Sequence, residues 1–340
     1  MRLINKSFYQ NDWTGIISEF QDLSLMQTWE FGEAKARTGP WEVERTIFLE
    51  DDRLIGAAQA MIRPLPWLGG GLVWINRGPL WRMEPDLAPV SFPARLVELR
   101  RYWVEERGMY LCLAPPLLVE EADSSWVKAP GYRLIPGTTG WSSAFVDLSG
   151  SVEQLRQGLS KNWRKQLNKA ERLGVRCLAG RSAGLFENFL SNYKAQLSSK
   201  EIETNLTPPL LQELQRLLPD ERKMWVFEGR YDDEPLGSLL VAGYGDTCIL
   251  LALGLNEKGL EVHGGYLMHW QALVTMKELG YRRLDLGGAD PRRTLPGILQ
   301  FKLGLRGKPY QLTGQLDACG RGWLSRAIKW YVRRQVRLMS

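Results

Sequence analysis

Between Tyr281 and Gly307 the chain gathers two carboxylates, an ammonium group and several glycines. Asp285 and Asp290 lie in Tyr281-Arg282-Arg283-Leu284-Asp285-Leu286-Gly287-Gly288-Ala289-Asp290-Pro291, followed by Leu295-Pro296-Gly297-Ile298 and Phe301-Lys302-Leu303-Gly304. Glycines let a backbone come close to a ligand, and aspartates at a strand end and a turn place acceptors beside it. Lys302 adds a compact cation on a flexible stem. Such a group can position an amine nucleophile, accept its proton, and stabilise an oxyanion or a phosphate. A glycine-rich turn with solvated charges has the same spacing, and these residues alone leave both readings open.

The elements that must position them follow from the apolar periodicity. Strands are predicted at Val43–Glu50, Leu54–Ile62, Leu72–Asn76 and Tyr110–Ala114, with a helix over Pro93–Arg107. The order returns as strands at Lys223–Gly229, Leu236–Tyr244 and Cys248–Leu255, a helix over Gly264–Leu279 and a strand at Arg283–Leu286. Polar turns at Asp51-Asp52 and Asp232-Asp233-Glu234 precede matching strands, and each helix ends in glycine, at Gly108 and Gly280. This reads as a diverged internal duplication of an α+β unit, with a cleft expected between two such units. Helical spacing also marks Ser151–Leu173, Ala183–Leu197 and Pro208–Leu218.

Composition narrows the classes. With 340 residues, 44% hydrophobic and 24% charged, the chain has the balance of a folded protein long enough for two domains. No apolar run reaches a membrane-spanning length, Met1–Phe20 has no secretory core, and a cytosolic location is expected. Cys112, Cys177, Cys248 and Cys319 are too widely spaced for a zinc knuckle and read as buried thiols. With only His263 and His269, no histidine-rich metal site is expected, and His269 reads as a partly buried polar residue. The net charge of +6 resides in residues 320–340, which hold Arg321, Arg326, Lys329, Arg333, Arg334 and Arg337 and no acid. The body is neutral, which argues for a local contact and against a general nucleic-acid binder.

Three segments in order, Trp29-Glu30-Phe31-Gly32-Glu33-Ala34-Lys35, Asn162-Trp163-Arg164-Lys165-Gln166-Leu167-Asn168-Lys169-Ala170, and the Asp285–Gly304 group, resemble the Fem family of peptidoglycan interpeptide-bridge aminoacyltransferases. The resemblance covers roughly residues 25–315. It implies two tandem acetyltransferase-like (GNAT) lobes, each a mixed sheet flanked by helices. The expected boundaries are 1–140 and 141–318, the second lobe holding a short helical insertion at about 181–219, with a basic amphipathic helix at 319–340.

The resemblance further implies transfer of an amino acid or acyl group to an amine of a nucleotide- or lipid-linked envelope precursor, with aminoacyl-tRNA as donor and no cofactor. Lys302, Asp285 and Asp290 would be catalytic, and Lys35 and Arg164 would hold acceptor phosphate. Phe301, Tyr266, Gly287 and Gly288 would complete the substrate site. The tRNA-binding coiled-coil arm found in some members is absent. An acyl-CoA-dependent N-acyltransferase of surface polysaccharide biosynthesis is the less favoured alternative, because Glu261-Val262-His263-Gly264-Gly265-Tyr266 has an acid first and a tyrosine last where a coenzyme A pyrophosphate loop has a basic or amide residue and a small one. A non-catalytic precursor-binding protein of the same fold is a further alternative.

In the tail, a helical projection puts Leu324, Ala327, Ile328, Tyr331 and Val332 on one side. Arg326, Lys329, Arg333 and Arg337 lie on the other, with Trp323 and Trp330 at the boundary. This is the pattern of an interfacial helix on anionic membrane, of a terminal helix docked on the body, or of a tRNA contact.

Overall fold

The computed structural model describes residues 1–65, 69–84, 92–122, 131–199 and 204–336. The chain divides into two compact units, one formed by Met1–Trp141 with Gln311–Ser340 and the other by Ser142–Tyr310.

In the first unit, β1 (Arg2–Asn5), β2 (Glu42–Glu50), β3 (Arg53–Leu65), β4 (Gly70–Asn76), β5 (Tyr110–Ala114) and β6 (Tyr132–Leu134) join one seven-stranded sheet with β14 (Leu316–Ala318), in the order β1-β2-β3-β4-β5-β14-β6. Helices α1 (Gln10–Ser18), α2 (Trp29–Thr38), α3 (Phe92–Arg100) and α11 (Trp323–Val336) belong to it. α3 continues as a wider π-type turn over Arg101–Glu106, completing the helix predicted from Pro93 to Arg107. Asp51 and Asp52 both have positive φ, 48° and 60°, the geometry that lets a two-residue turn follow the twist of β2 and β3. Phe48, Val73, Ile75, Trp81, Leu96 and Trp103 share the core.

The second unit repeats the arrangement. Its strands β7 (Ser142–Asp147), β8 (Arg176–Gly180), β9 (Trp225–Tyr231), β10 (Glu234–Tyr244), β11 (Thr247–Leu255), β12 (Arg283–Asp285) and β13 (Lys308–Gln311) form a sheet in the order β8-β9-β10-β11-β12-β7-β13. Asp232 and Asp233 repeat the left-handed turn at φ 49° and 64°. Its helices are α4 (Val152–Gly158), α5 (Lys161–Arg172), α6 (Ala183–Ser199), α7 (Pro208–Leu217), α8 (Glu257–Glu261), α9 (Gly264–Glu278) and α10 (Pro296–Leu303). Both sheets thus pass from an antiparallel meander to a parallel pair, β4 with β5 and β11 with β12.

Three sequence expectations change. The single helix predicted over Ser151–Leu173 breaks, because Leu159 and Ser160 are extended at ψ 147° and 151° and the Ser160 hydroxyl accepts from Trp163 N to begin α5. Leu316–Ala318, expected to end the second lobe, pairs instead with β5 and β6 of the first unit, Leu316 lying opposite Leu113 and Leu134. The corresponding place beside β12 is taken by β7, with Arg283 opposite Asp147. Of the cysteines, Cys112 and Cys248 are buried, whereas Cys177 and Cys319 are only partly so.

The tail helix α11 packs on the first unit. Ile328 is 1% exposed, in a cluster with Leu65, Leu72, Tyr110 and Cys112. Lys329, expected on the outer charged face, turns inward to pair with buried Asp317 at 3.0 Å. Arg337–Ser340 and the side chains of Leu324, Val332 and Arg333 lie outside the described residues. No helix among the described residues is long and apolar enough to cross a membrane. Because Ile328 fills a core position, Ile328→Ala is expected to cost about 2–5 kcal/mol, read as a lower urea midpoint for the first unit; an unchanged midpoint would show that the helix is not docked.

Candidate functional site

The Asp285–Lys302 segment lies in the second unit, where the sheet opens. β11 and β12 pair in parallel only from Thr247↔Arg283 to Ile249↔Asp285, and β11 then runs on to Leu255. A register shift against β10 between Leu240 and Val241 bends β11 at that point. The equivalent pair in the first unit stays together from Leu72↔Tyr110 to Asn76↔Ala114. Backbone groups of β11 beyond Ile249 therefore lack a β12 partner, whereas those of β4 keep theirs through Asn76.

Asp285 ends β12 and is 1% exposed. Its carboxylate accepts hydrogen bonds from Ser143 Oγ on β7, from Tyr310 OH on β13 at 2.6 Å, and from Gly287 N at 2.9 Å. A buried carboxylate is tolerated when its oxygens are supplied with donors, and this one is. Tyr310 is held in turn by stacking on Phe145, with ring centroids 4.5 Å apart.

The bond to Gly287 N fixes a turn in which Gly287 has φ +63°, and a Cβ there would stand 2.4 Å from Leu250 O. Only glycine satisfies both the backbone angle and the close approach. The turn points two carbonyls at Lys302, whose Nζ donates to Gly287 O at 2.6 Å and Gly288 O at 2.8 Å. Burial lowers the Lys302 pKa to about 8, against the opposing attraction of Asp285. An ammonium carries three donors, so among the described residues one N–H is left over beyond these two bonds.

Aromatic rings pack around the last turns of α10. Phe301 lies edge-on to Tyr266 at 4.8 Å and to His269 at 4.7 Å, and Trp163 of α5 meets Tyr266 at 5.0 Å and Phe301 at 5.7 Å. Gly304 permits this packing, since a Cβ there would lie 2.7 Å from the Trp163 ring. Trp163 Nε1 and His263 Nε2 are buried with no hydrogen-bond partner among the described residues. Such orphaned atoms are rare and call for a partner, and both flank Tyr266. His263 precedes the first turn of α9 with a left-handed φ of 61°.

His269 shares its Nδ1 proton with Gly265 O at 2.8 Å, and burial pulls its pKa down to about 4. The ring is therefore neutral at physiological pH, with Nδ1 as donor and Nε2 as acceptor.

The remaining predicted residues are placed as follows. Asp290 caps a turn, accepting from Arg292 N at 2.8 Å, while its carbonyl accepts from Thr294 N at 2.8 Å. Arg164 is half-buried on α5, donates to Gln157 O at 3.1 Å, and lines a shallow basic groove with Lys161, Lys165 and Arg172. Glu171, the acid of that groove, pairs with Arg156. Lys35 lies in the first unit on α2, half-buried, with its pKa lowered by burial and nothing paired to it among the described residues. Its motif neighbours Glu30, Phe31, Gly32 and Ala34 are buried and structural.

The structure therefore brings Asp285, Gly287, Gly288 and Lys302 into one hydrogen-bonded chain and Phe301 and Tyr266 into one aromatic group, while Arg164 donates to Gln157 O and Asp290 accepts from Arg292 N. Sequence reasoning missed Ser143 and Tyr310, which carry no motif. In the sequence Trp163 stands out only within the Asn162–Ala170 segment.

Residues 157–302 match the family model of the acetyltransferase (GNAT) domain. Among solved structures the chain is similar to FemX, with TM-score 0.80 at 14% identity over 97% of this chain and 100% of that one. It is also similar to the C-terminal domain of a putative lysylphosphatidylglycerol synthetase from Agrobacterium fabrum, with TM-score 0.54 at 13% identity over 95% and 96% of the two chains. A tandem GNAT protein from the clavulanic acid biosynthesis pathway gives TM-score 0.52 at 10% identity over 93% and 98%. No curated protein matches the sequence. The fold is thus a tandem of two GNAT units, the arrangement that the Fem resemblance implied.

Two stability predictions follow from this geometry. Gly287→Ala should cost about 2 kcal/mol or more through its left-handed φ and the Leu250 contact, lowering the second unit's unfolding midpoint. The folded pKa of His269, about 4, lies below the ordinary 6.5, so the unfolded chain binds the proton first. Its stabilising effect is complete above pH ~6.5 and declines as pH falls toward 4, by on the order of 3 kcal/mol. His269→Gln should flatten that part of the stability profile, and an unaltered slope would refute the assignment.

Proposed function

We propose that this protein is an aminoacyltransferase-type enzyme that transfers an acyl group from an activated ester to an amine of a nucleotide- or lipid-linked cell-envelope precursor. The observation that carries the reading is Lys302, held by two backbone carbonyls where the second sheet opens, with one N–H left to give. The tandem GNAT fold and the likeness to FemX support it.

In the reaction, the acceptor amine attacks the ester carbonyl, the new C–N bond forms, and the C–O bond to the donor breaks. The proton lost by the amine ends on the leaving oxygen. The free Lys302 N–H stabilises the negative charge that develops on the carbonyl oxygen, the kind of contribution worth roughly 10²–10³ in rate. Asp285 is a positioning residue, since its oxygens are committed to Ser143, Tyr310 and Gly287. Trp163, Tyr266 and Phe301 offer an apolar wall with two orphaned polar atoms beside it. Arg164 and its neighbours at the start of α5 suit a phosphate, because cations and the positive end of a helix act together there. Lys35 is a further candidate phosphate ligand, in the first unit.

A second reading, an acyl-CoA donor, is favoured by the GNAT family match and by the glycines Gly264 and Gly265 that open α9. Incubating the protein with aminoacyl-tRNA or acetyl-CoA, each with a nucleotide-linked muropeptide, and weighing the product separates the readings. Aminoacyl addition supports the first; acetyl addition alone replaces it with the second; no addition from either donor overturns both.

Lys302→Ala should lower transfer roughly 10²–10³-fold. Activity should fall as pH rises past about 8, where Lys302 loses its proton. Lys302→Arg, charged throughout that range, should move the fall to higher pH, and undiminished transfer by the alanine variant would remove Lys302 from the mechanism.

A further inference from the structure

Docking of α11 uses one face of that helix and leaves the side that carries Trp323 and Trp330 exposed among the described residues. Ile328 and Lys329 face inward, and Tyr331 is partly buried against the same cluster. On the outward side Trp323 is 74% exposed and Trp330 63% exposed. Arg326 and Arg334 are exposed as well, with the Arg334 guanidinium 5.3 Å from the Trp330 ring centre. Seven and eleven residues are close to two and three helical turns, so Trp323, Trp330 and Arg334 form one stripe, with Arg326 at its flank.

Large indoles exposed on this scale are uncommon on a surface that meets only water. No acid lies on α11 to neutralise the arginines, and the lysine of the helix is already spent on Asp317.

We infer that the outward face of α11 is a docking surface for an anionic phospholipid bilayer. The stripe combines the two side chains that suit that boundary. Indole rings settle at headgroup depth, and guanidinium groups pair with lipid phosphates. Ile328 and Tyr331, which a free interfacial helix would bury in lipid, pack against the first unit instead. The contact is therefore shallow, made by the two tryptophans and the arginines beside them. A contact with the phosphates of a nucleic-acid duplex would draw on the arginines and leave two indoles on one line without a role. This inference does not rest on the acyl-transfer reading, and it can fail or hold independently of it.

The test is flotation of the full chain with vesicles of pure phosphatidylcholine and of phosphatidylcholine mixed with phosphatidylglycerol. Binding is expected to the mixed vesicles, to weaken with added salt, and to be absent with phosphatidylcholine alone. Arg326→Gln with Arg334→Gln should weaken it roughly 25-fold, about fivefold for each cation lost near the surface. Trp323→Ala with Trp330→Ala should weaken it at least about tenfold. All four side chains are exposed, so both double variants should keep the parent's melting temperature, which guards against loss through unfolding. Equal binding to the two vesicle types, no binding to either, or variants that float like the parent would each overturn the proposal. So would arginine-dependent tRNA binding with no tryptophan-dependent lipid binding.

Discussion

The Asp285 carboxylate is the group on which the candidate site depends. It is buried at the end of a three-residue strand, where an unsatisfied charge would be expensive, and each of its donors comes from a different segment. Ser143 ties it to β7, Tyr310 ties it to β13, and Gly287 N ties it to the turn that follows. Remove the charge and the turn loses its anchor; move the turn and Lys302 loses both carbonyls. The ammonium is thus held by a carboxylate it does not itself touch. That separation leaves Lys302 a donor to spare, which a direct ion pair would have taken.

The two units share a strand order and a left-handed Asp-Asp turn, yet the opening lies in one of them. The difference is in how far the parallel pair extends. β4 and β5 remain hydrogen-bonded to Asn76, whereas β11 and β12 part after Ile249. The bulge against β10 bends β11 away, and Gly287 can then place its backbone against Leu250 O. In this duplicated fold, one extra residue on β11 and one glycine in the turn after β12 accompany the parting of the second sheet's parallel pair.

The C-terminal segment has a structural duty as well as an outward face. β14 completes the first sheet between β5 and β6, and Asp317 on that strand accepts from Tyr110 OH at 2.7 Å and pairs with Lys329. The last helix is therefore clamped to the first unit by a buried carboxylate. Arg326 and Arg334, both exposed, are thereby presented from a docked helix.

The repeated strand–helix pattern is legible in the order of residues, because alternation, helical spacing and polar turns are local and survive in any environment. The sequence also marked Lys302, Asp285, Gly287 and Phe301, whose types and spacing stand out within a short stretch. It misjudged the joins. The break at Leu159–Ser160, the return of Leu316–Ala318 to the first sheet and the inward turn of Lys329 depend on what packs against each segment. Tertiary structure alone decided the partners of the key groups, since Ser143 and Asp285 are separated by 142 positions and Tyr110 and Asp317 by 207. Nothing local distinguishes a serine or tyrosine that will meet a buried carboxylate from one that will meet water. That choice is made when distant strands close into one sheet and the dry interior leaves the carboxylate no other donors.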